Sequence, residues 1–344
     1  MKKNIEIKQL DQQSSEKWDA FVESCPEATF FHKSAWKKVI EKAFGHSCHF
    51  LYAEKEGVIE GVLPLGHVKS VLFGNTLISS PFCVYGGIAA VSDDARTSLD
   101  NAAGTLARDL GVDSLEMRNQ VKRHPQRPRK ELYVTFRKAL DPNPEENLKA
   151  IPRKQRAMVR KGIKAGLVSV IDSDIDRLYD AYAESVRNLG TPVFSKKYFS
   201  ILKETFGDQC EVLTIENQGE LVASVMNFYF RDQVLPYYGG GTAAARRVQG
   251  NDFMYWEVMR RAVEKGIKIF DYGRSKEGTG SYRFKKHWGF EPEPLHYEFD
   301  LVKATEMPDI NPLNPKYRLF ISAWQRLPLS ISKIVGPWIS CNLG

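Results

Sequence analysis

The chain contains AWKKVIEKAFGHSCHFLYAEKEGVIEGV at residues 35–62 and KYFSILKETFGDQCEVLTIENQGELVAS at residues 197–224. At one constant offset the two stretches share a Phe-Gly pair, a cysteine, a glutamate and a glycine. In the first stretch these residues are Phe44, Gly45, Cys48, Glu54 and Gly57. The distance between the copies is far longer than the repeat of a solenoid. The sequence therefore predicts two copies of one domain in tandem.

Further matches follow in the same order along the chain. Tyr-Gly-Gly at residues 85–87 corresponds to Tyr-Gly-Gly at 238–240, and LGVDSLEMRN at 110–119 corresponds to KGIKIFDYGR at 265–274. In each copy we expect a helix that ends at Phe-Gly, because glycine suits a helix C-cap. Two strands around a glycine turn follow, then a third strand that ends in Tyr-Gly-Gly.

Each predicted copy is completed by a helix, a short strand and a last strand. The helices are expected at about 92–110 and 251–265, and the last strands at 131–136 and 295–301. Runs of strands with helices between them are typical of a mixed-sheet α/β domain. A turn-rich LDPNP at 140–144 marks the boundary between the copies. We therefore expect a first domain at 1–140, a second at 141–305 and a C-terminal tail at 306–344.

The composition is that of an ordinary globular protein. The chain has 344 residues, 42% hydrophobic and 26% charged, which excludes a mostly disordered protein. The 49 Lys and Arg residues exceed the 42 acidic ones, giving a net charge of +7. This excess fits a phosphorylated cofactor, a tRNA or an anionic lipid surface, and selects none of them.

The cysteines give no sign of a disulfide framework or a zinc ribbon. There are five, scattered and without a CxxC pair, so a reducing cytoplasm is the expected location. The run His46-Ser47-Cys48-His49 superficially resembles a metal site, but a zinc site needs three or four ligands. Because the repeat matches Cys48 with Cys210, we expect a small buried side chain and no metal.

A basic stretch follows the Tyr-Gly-Gly strand of the second copy. It contains Arg247-x-x-Gly250-Asn251-Asp252, close to a Q/R-x-x-G-x-G/A loop that binds the pyrophosphate of coenzyme A. A helix N-terminus here would offer unpaired N–H groups to a phosphate. The other interpretation is a solvated loop capped by Asn251. The first copy is acidic at the corresponding place, so a donor site is expected in the second copy.

A second basic segment, residues 151–166, opens the second copy. Its cations include Arg153, Arg156 and Arg160, and it has few apolar residues. It is either a contact for a polyanion or a solvated helix face.

The third candidate is FDYGRSKEGTGSYRFKKHWGFEPEPL, which starts at Phe270. A strand ends in a polar loop with Arg274 and Ser275, and aromatic and basic residues then alternate from Tyr282. Such a pattern suits stacking on a ring and neutralising a phosphate. The alternative is an exposed amphipathic helix whose Phe284 and Trp288 face the core.

The tail carries an apolar stripe. Its residues share one helical face and are Leu319, Phe320, Ala323, Trp324 and Leu327, with Lys316, Arg318 and Arg326 nearby. The stripe either lies in the headgroup region of a membrane or packs on the second domain. The sequence predicts weak peripheral contact with the cytoplasmic face of the inner membrane.

The tandem copies, the tryptophan helix after FFHKSAW and, above all, residues 269–295 resemble the FemAB-like acyltransferases, which consist of two acetyltransferase-like (GNAT) domains. The resemblance covers about residues 1–303. The ending NPKYRLFISAWQRLPLSISKIVGPWISCNLG is similar to FemAB-related proteins associated with PEP-CTERM/exosortase exopolysaccharide loci. The resemblance implies tandem GNAT-like domains and acyl transfer to an amine or hydroxyl of a sugar or peptidoglycan-like precursor.

The resemblance also implies site residues and co-substrates. An aromatic-lysine pair linked to catalysis in the family falls on Phe284-Lys285. The donor is aminoacyl-tRNA or acyl-CoA, with no permanently bound cofactor, and the helical arm of the staphylococcal type is missing here. We expect direct attack on the activated carbonyl. Lys285 would stabilise the oxyanion, and Asp271 and Tyr238 are candidates for the base.

A hypothesis of another class stays open. Duplicated acetyltransferase domains can lose their chemistry and keep a binding surface. The alternative to an enzyme is therefore a non-catalytic GNAT-derived binding module in exopolysaccharide assembly or export. The intact Phe284-Lys285 segment favours an enzyme. The sequence does not specify the oligomeric state.

Overall fold

The computed structural model describes residues 4–70, 74–308 and 315–344, and for residues 315–318 the backbone alone. The chain divides by its internal contacts into two compact units. The first comprises residues 1–133, 294–309 and 341–344, and the second comprises residues 134–293 and 310–340.

The first unit contains one mixed sheet and three α-helices within its described residues. Its strands are β1 Glu6–Gln9, β2 Ser47–Lys55, β3 Val58–Ser70, β4 Gly74–Ser79, β5 Ala89–Ala90, β6 Ser114–Asn119, β7 Arg129–Lys130 and β16 His296–Leu301. Its helices are α1 Ser15–Ser24, α2 Ala35–Phe44 and α3 Asp93–Asp109.

The second unit contains a second mixed sheet and the remaining α-helices. Its strands are β8 Tyr133–Ala139, β9 Val168–Asp172, β10 Cys210–Asn217, β11 Glu220–Phe230, β12 Gln233–Gly241, β13 Ile269–Asp271, β14 Ser275–Lys276 and β15 Pro292–Pro294. Its helices are α4 Pro144–Ala150, α5 Arg153–Lys164, α6 Asp176–Leu189, α7 Lys196–Phe206, α8 Ala243–Val248, α9 Gly250–Glu264, α10 Gly280–His287, α11 Pro315–Gln325 and α12 Leu329–Ser340.

The two sheets have the same strand order. The first runs β1-β2-β3-β4-β6-β16-β7, and the second runs β9-β10-β11-β12-β13-β8-β14. The strands that pair in parallel are β4 with β6 in one sheet and β12 with β13 in the other. The mixed α/β architecture expected from the sequence is therefore confirmed.

The two copies of the predicted repeat also share their structural irregularities. Both stretches form a helix followed by two antiparallel strands, α2-β2-β3 and α7-β10-β11. The strand register shifts before Glu54 in one copy and before Glu216 in the other, which are matched residues of the repeat. Both hairpins turn through a non-glycine residue and a glycine with positive φ, at 56–57 and 218–219. A turn with two such residues suits the twist of the flanking strands.

The last strand of each copy lies in the sheet of the other copy. β8 pairs with β13, so it completes the second sheet, and β16 pairs with β6, so it completes the first. The sequence prediction that each last strand closes its own copy was wrong. Alternation along a strand shows which face is buried and gives no information on its neighbour, so the pattern at 131–136 fits either sheet.

The first Tyr-Gly-Gly is also not where it was expected. Residues 85–87 lie outside any strand, whereas residues 238–240 lie in β12. The glycines of the first copy serve close packing, because a Cβ on Gly86 would lie 2.4 Å from Ser80 and one on Gly87 would lie 2.0 Å from Asn119.

Each sheet packs on a long helix to form a core. In the first unit α3 places Leu99 and Ala103 against Leu63 and Leu115. In the second unit α9 contributes Met254, Trp256 and Met259 to a core that also contains Phe270 and Trp288. Burial of this apolar surface is the main stabilising contribution to each unit.

The tail forms α11 and α12, which pack on α6. The predicted apolar stripe is divided: Trp324 is buried, Leu327 is half-buried, and Leu319, Phe320 and Ala323 are exposed. The side chains of Lys316 and Arg318 lie outside the described residues. Among the helices described here, none combines the length and apolar character needed to cross a bilayer.

Candidate active site

The second sheet opens between β12 and β13. These parallel strands pair at Gln233 with Ile269 and at Val234 with Phe270, whereas β12 continues to Gly241. A register shift in β12 opposite Met226 and Asn227 makes Tyr237 the additional residue of a β-bulge. Bulges redirect a strand and are frequent beside active sites. The loop after β13 begins where this pairing ends and leads through β14 to the helix α10.

Lys285 lies on α10 and is held by that loop. Its side chain is buried, with 8% exposure, and Nζ donates hydrogen bonds to the carbonyl oxygens of Gly273 (2.9 Å) and Arg274 (3.1 Å). The nitrogen also lies over two aromatic rings, 5.5 Å from the centroid of Phe136 and 5.4 Å from that of Tyr272. A cation over a ring face is attracted by the ring quadrupole.

Burial changes the acidity of this lysine. It lowers the pKa of Lys285 from the usual 10.5 to about 7; the carboxylate of Asp271 opposes this change and the cation of Arg274 adds to it. The burial effect is the largest because a charged amine loses its hydration in the interior. Near neutral pH the group therefore exists both as ammonium and as amine. Groups shifted in this way are frequent at catalytic sites.

Asp271 fixes the loop that holds Lys285. It is buried at 2% exposure, its Oδ1 accepts from the backbone N–H of Gly273 (2.8 Å), and its Oδ2 lies 3.6 Å from Nε of Arg137. A carboxylate that accepts a local N–H in this way stabilises the turn. The geometry gives Asp271 a positioning role for the Gly273 and Arg274 carbonyls.

The other candidate base, Tyr238, lies in a different cluster. Its hydroxyl is 2.8 Å from that of Tyr198, and its ring packs on Tyr182, Phe194 and Phe199. The structure does not bring it into the contacts of Lys285.

Phe284 and Tyr282 contribute to an aromatic wall around α10. Phe284 packs on Tyr255, Tyr272 and Trp288, with centroids 5.8, 6.4 and 6.1 Å away. Tyr282 packs on Phe136 at 5.6 Å. Phe284 and Trp288 therefore do face the core, as the amphipathic-helix interpretation predicted, and the same helix holds Lys285 at the opening.

The segment around Arg247 differs from the expected open loop. Residues 243–248 form the helix α8, and Gln249, with φ of 60°, joins it directly to α9. The N–H of Ala243, in the first turn of α8, already donates to Glu184 (2.8 Å). Arg247 is exposed, while Asn251 is half-buried beside Gly241.

Gly250 and Asp252 have packing roles. A Cβ on Gly250 would lie 2.3 Å from Val222, so the glycine permits close contact between α9 and β11. Asp252 is buried and accepts a hydrogen bond from Nε1 of Trp288 (3.0 Å), which connects α9 to the end of α10. Burial raises the pKa of Asp252, against the effect of these hydrogen bonds.

The basic helix α5 packs on α9 and presents its cations outward. Val159 is buried, and Gly162 abuts Phe253. Arg153 and Arg160 are exposed, and the half-buried Arg156 donates to the carbonyl oxygen of Lys149 (2.8 Å). Exposed cations on one helix face suit a polyanion, and the polyanion contact remains a prediction.

Phe136, Tyr272 and Asn227 were not singled out by the sequence, whereas Arg274 and Ser275 were. Phe136 comes from β8, the exchanged strand. The Tyr272 hydroxyl and Ser275 Oγ are buried with no hydrogen-bond partner among the described residues, and the same holds for both amide atoms of Asn227, next to the bulge. A buried polar atom without a partner costs free energy and calls for an explanation such as a missing ligand. Arg274 is half-buried in the same loop as Ser275.

The described residues contain no group of three or more His, Cys, Asp and Glu side chains placed to hold a metal ion. His46 instead has Nε2 2.7 Å from the carbonyl oxygen of Cys341. Burial raises the pKa of the Cys48 thiol to about 12.

The matching sheets, each with a parallel pair that adjoins a long helix, define a tandem GNAT-like fold. The family model described as the acetyltransferase (GNAT) domain matches residues 149–286, which include Lys285. This match lies within the second unit.

Known proteins with related sequence or fold agree with this class. The aminoacyltransferase FemA of Staphylococcus aureus (strain bovine RF122 / ET3-1) is 33% identical over 101 residues, covering 27% of this chain and 24% of FemA. The match thus spans about a quarter of that relative. The crystal structure of FemX has a TM-score of 0.61 at 15% identity, over 85% of this chain and 97% of FemX. A tandem GNAT protein from the clavulanic acid biosynthesis pathway has a TM-score of 0.52 at 14% identity, over 86% of this chain and 97% of that protein.

Proposed function

We propose that the chain is an acyltransferase that moves an aminoacyl or acyl group to an amine or hydroxyl of a cell-envelope or exopolysaccharide precursor. The observation that carries this proposal is Lys285: a buried cation at the opening of a GNAT sheet, with a pKa of about 7. Its neighbours Tyr272 and Ser275 offer buried hydroxyls that lack protein partners. A substrate carbonyl beside Lys285 would supply an acceptor for its ammonium.

The proposed reaction is a direct transfer. The acceptor nitrogen or oxygen forms a bond to the donor carbonyl carbon, and the carbonyl oxygen becomes an oxyanion. The Lys285 ammonium donates a hydrogen bond to that oxyanion, in place of one of its present backbone acceptors. The bond from carbon to the leaving oxygen or sulfur then breaks, and the proton lost by the acceptor ends on the leaving group. Asp271 holds the loop that aims Lys285.

We propose aminoacyl-tRNA as the donor. The exposed Arg153 and Arg160 of α5 suit the phosphates of an RNA. The first residues of the coenzyme A-like motif, Arg247 and Val248, belong to the helix α8 and not to an open loop. FemA, the relative in sequence, is an aminoacyltransferase. Transfer from acyl-CoA in place of aminoacyl-tRNA would overturn this choice and leave the reaction class intact.

The test of the acceptor is mass spectrometry of the envelope and exopolysaccharide precursor pools. Cells without the protein are compared with cells that carry the wild type, Lys285→Ala or Lys286→Ala. Lys286 is the matched control, because it is the adjacent residue and is exposed. A precursor with an added acyl mass should appear with wild type and Lys286→Ala alone. Identical pools in all four strains would contradict the proposal.

The binding-module alternative has one observation in its favour. Nζ of Lys285 is covered and hydrogen-bonded to two carbonyls, so a substrate reaches it only when the loop after β13 moves. The two functions differ in donor consumption. A binding module would bind a precursor and leave both donors unchanged, whereas the proposed enzyme releases free tRNA or coenzyme A in proportion to product.

A further inference from the structure

Helix α12 presents an unusual distribution of side chains. The side that packs on the second unit consists of small residues, Ser332, Gly336 and Ser340, which are buried. Gly336 abuts Val193, and Ser340 donates a hydrogen bond to the carbonyl oxygen of Val193 (3.1 Å). A surface helix of a globular protein normally buries its large apolar residues instead.

The opposite side of α12 is apolar and open to solvent. Ile331, Ile334, Val335 and Trp338 are exposed at 43, 69, 40 and 79%, respectively, and they are spaced at i, i+3, i+4 and i+7. We call these four residues the α12 outer face. On α11, Leu319 and Phe320 are exposed as well, at 82 and 41%. A contiguous exposed apolar stripe of this kind marks an interaction surface.

The folded protein holds this face in place. Lys333 forms an ion pair with Asp180 of α6 (2.6 Å), and Arg187 of α6 donates to the carbonyl oxygen of Leu327 (3.2 Å). Gly190, just after α6, abuts Ile321 of α11. These contacts fix the position of the α12 outer face on the second unit.

The charge of the tail identifies the occupant. Residues 306–344 contain four basic residues, Lys316, Arg318, Arg326 and Lys333, and two acidic ones, Glu306 and Asp309, which both precede α11. Cations beside an apolar face with a tryptophan are the features of helices that lie in the headgroup region of an anionic bilayer. A second copy that docked through the same face would bring two cationic tails together, which disfavours self-association.

We propose that the α12 outer face binds peripherally to an anionic lipid surface, with α12 in the plane of the headgroups. This binding is independent of the proposed acyl transfer, so Lys285→Ala should bind vesicles as the wild type does. It would bring the transferase to precursors that are held at a membrane.

Trp338 is an intrinsic reporter for this proposal. All six tryptophans lie in the described part of the chain, and the other five are at most 4% exposed. The full chain is mixed with vesicles of phosphatidylcholine alone or of phosphatidylcholine with phosphatidylglycerol. The expected result is a blue shift of the emission and protection from acrylamide with the anionic vesicles, reversed by salt. No change with either vesicle would overturn the proposal.

Co-sedimentation of point variants tests the face itself. Ile334→Ser should weaken binding to anionic vesicles about 10-fold, because a large apolar side chain no longer enters the lipid. Arg326→Gln should weaken it about fivefold, and on anionic vesicles alone. Val58→Ser is the matched control: it is 64% exposed, lies in the first unit and should bind as the wild type does.

Two results of this experiment would contradict the lipid proposal. One is equal vesicle binding by wild type and Ile334→Ser. The other is a wild-type dimer in sedimentation velocity that Ile334→Ser dissociates while neither protein binds vesicles, which would assign the face to a second copy. Point variants are preferred to removal of the tail, since truncation would uncover Val193 and α6.

Discussion

Each unit buries a cation at the open edge of its parallel strand pair, and the two cations differ in their surroundings. In the first unit Arg118 forms an ion pair with Glu116 (2.8 Å) and donates to the carbonyl oxygens of Cys83 (2.8 Å) and Gly344 (2.9 Å). In the second, Lys285 donates to two carbonyls and has no carboxylate within hydrogen-bonding distance among the described residues. Glu116 and Asp271 are matched residues of the repeat.

The comparison shows how a duplicated fold separates structure from chemistry. A buried cation that is neutralised by a carboxylate holds its surroundings together, and its proton stays in place. A buried amine without such a partner has a lowered pKa. It can also release a backbone carbonyl oxygen and donate to a substrate oxygen instead. Arg118 therefore belongs to the core of its unit, whereas Lys285 is the cation that we propose for the reaction.

The largest effect on stability is expected from removing Arg118, the buried cation that is paired with a carboxylate. Arg118→Met leaves the Glu116 carboxylate buried without its partner, which typically costs about 3–5 kcal/mol. Denaturant unfolding of the purified protein measures the loss. Arg129→Met is the control, because its ion pair with Glu131 is exposed and contributes about 0–1 kcal/mol. Equal losses in the two variants would refute the structural role of Arg118.

Removal of Lys285, the buried cation without a carboxylate partner, should affect turnover more than folding. Lys285→Ala is expected to lower the transfer rate about 100- to 1,000-fold, the usual effect of removing one donor to an oxyanion. Single-turnover assays with aminoacyl-tRNA and with acyl-CoA measure the rate. Lys286→Ala should retain the wild-type rate, and an unchanged rate in Lys285→Ala would exclude the lysine from the mechanism.

A pH titration sharpens the difference between the two cations. The unfolded chain protonates Lys285 near pH 10.5 and the folded chain near pH 7, so between these values the unfolded state binds more protons. The free energy of unfolding should therefore rise with pH in this window, by up to about 1.4 kcal/mol per pH unit. Lys285→Met should lack this contribution, while Arg118→Met should keep it.

The same titration tests the chemical role of Lys285. If its ammonium stabilises the oxyanion, the transfer rate falls as the pH rises through about 7. A rate that rises through this pH instead would assign Lys285 as the base.

The smallest effect on stability is expected from removing the hydrogen bond that connects Asp252 of α9 to Trp288 at the end of α10. Asp252→Ala leaves Nε1 of Trp288 buried without an acceptor, which costs about 1–3 kcal/mol. Asp252→Asn keeps an oxygen acceptor, so it should recover most of that stability and of the transfer rate. Thermal unfolding of the two variants measures the difference, and an equal loss in both would show that the charge of Asp252 matters more than its hydrogen bond.

The sequence predicted the fold and the lysine through two different signals. The repeat at 35–62 and 197–224 correctly placed a helix and two strands in each unit, because turn glycines and alternating strands are local features. The segment around Phe284-Lys285 was singled out by its aromatic-basic alternation and its resemblance to a family. The site roles predicted for Arg153, Arg247 and Tyr282 remain predictions.

Part of what the sequence missed is non-local. Phe136 reaches Lys285 because β8 crosses to the second sheet, and no residue in 131–136 specifies that neighbour. The helix α8 replaced an expected loop since Ala243, Ala244 and Ala245 favour a helix more than the glycine spacing favours a turn. The lowered pKa of Lys285 depends on burial by the loop after β13. This loop is close to Lys285 in the sequence and in space, but the sequence alone does not give its conformation.

The strand exchange has a consequence for synthesis on the ribosome. The first sheet needs β16 between β6 and β7, so its open edge persists until residues 296–301 have left the exit tunnel. During this time Asn119 lacks Glu298, which in the finished protein also accepts the N–H groups of Arg123 and His124. An N-terminal unit that cannot complete itself is exposed to edge-to-edge pairing with neighbouring nascent chains. The two units of this protein are therefore expected to finish folding together after translation, and not one after the other.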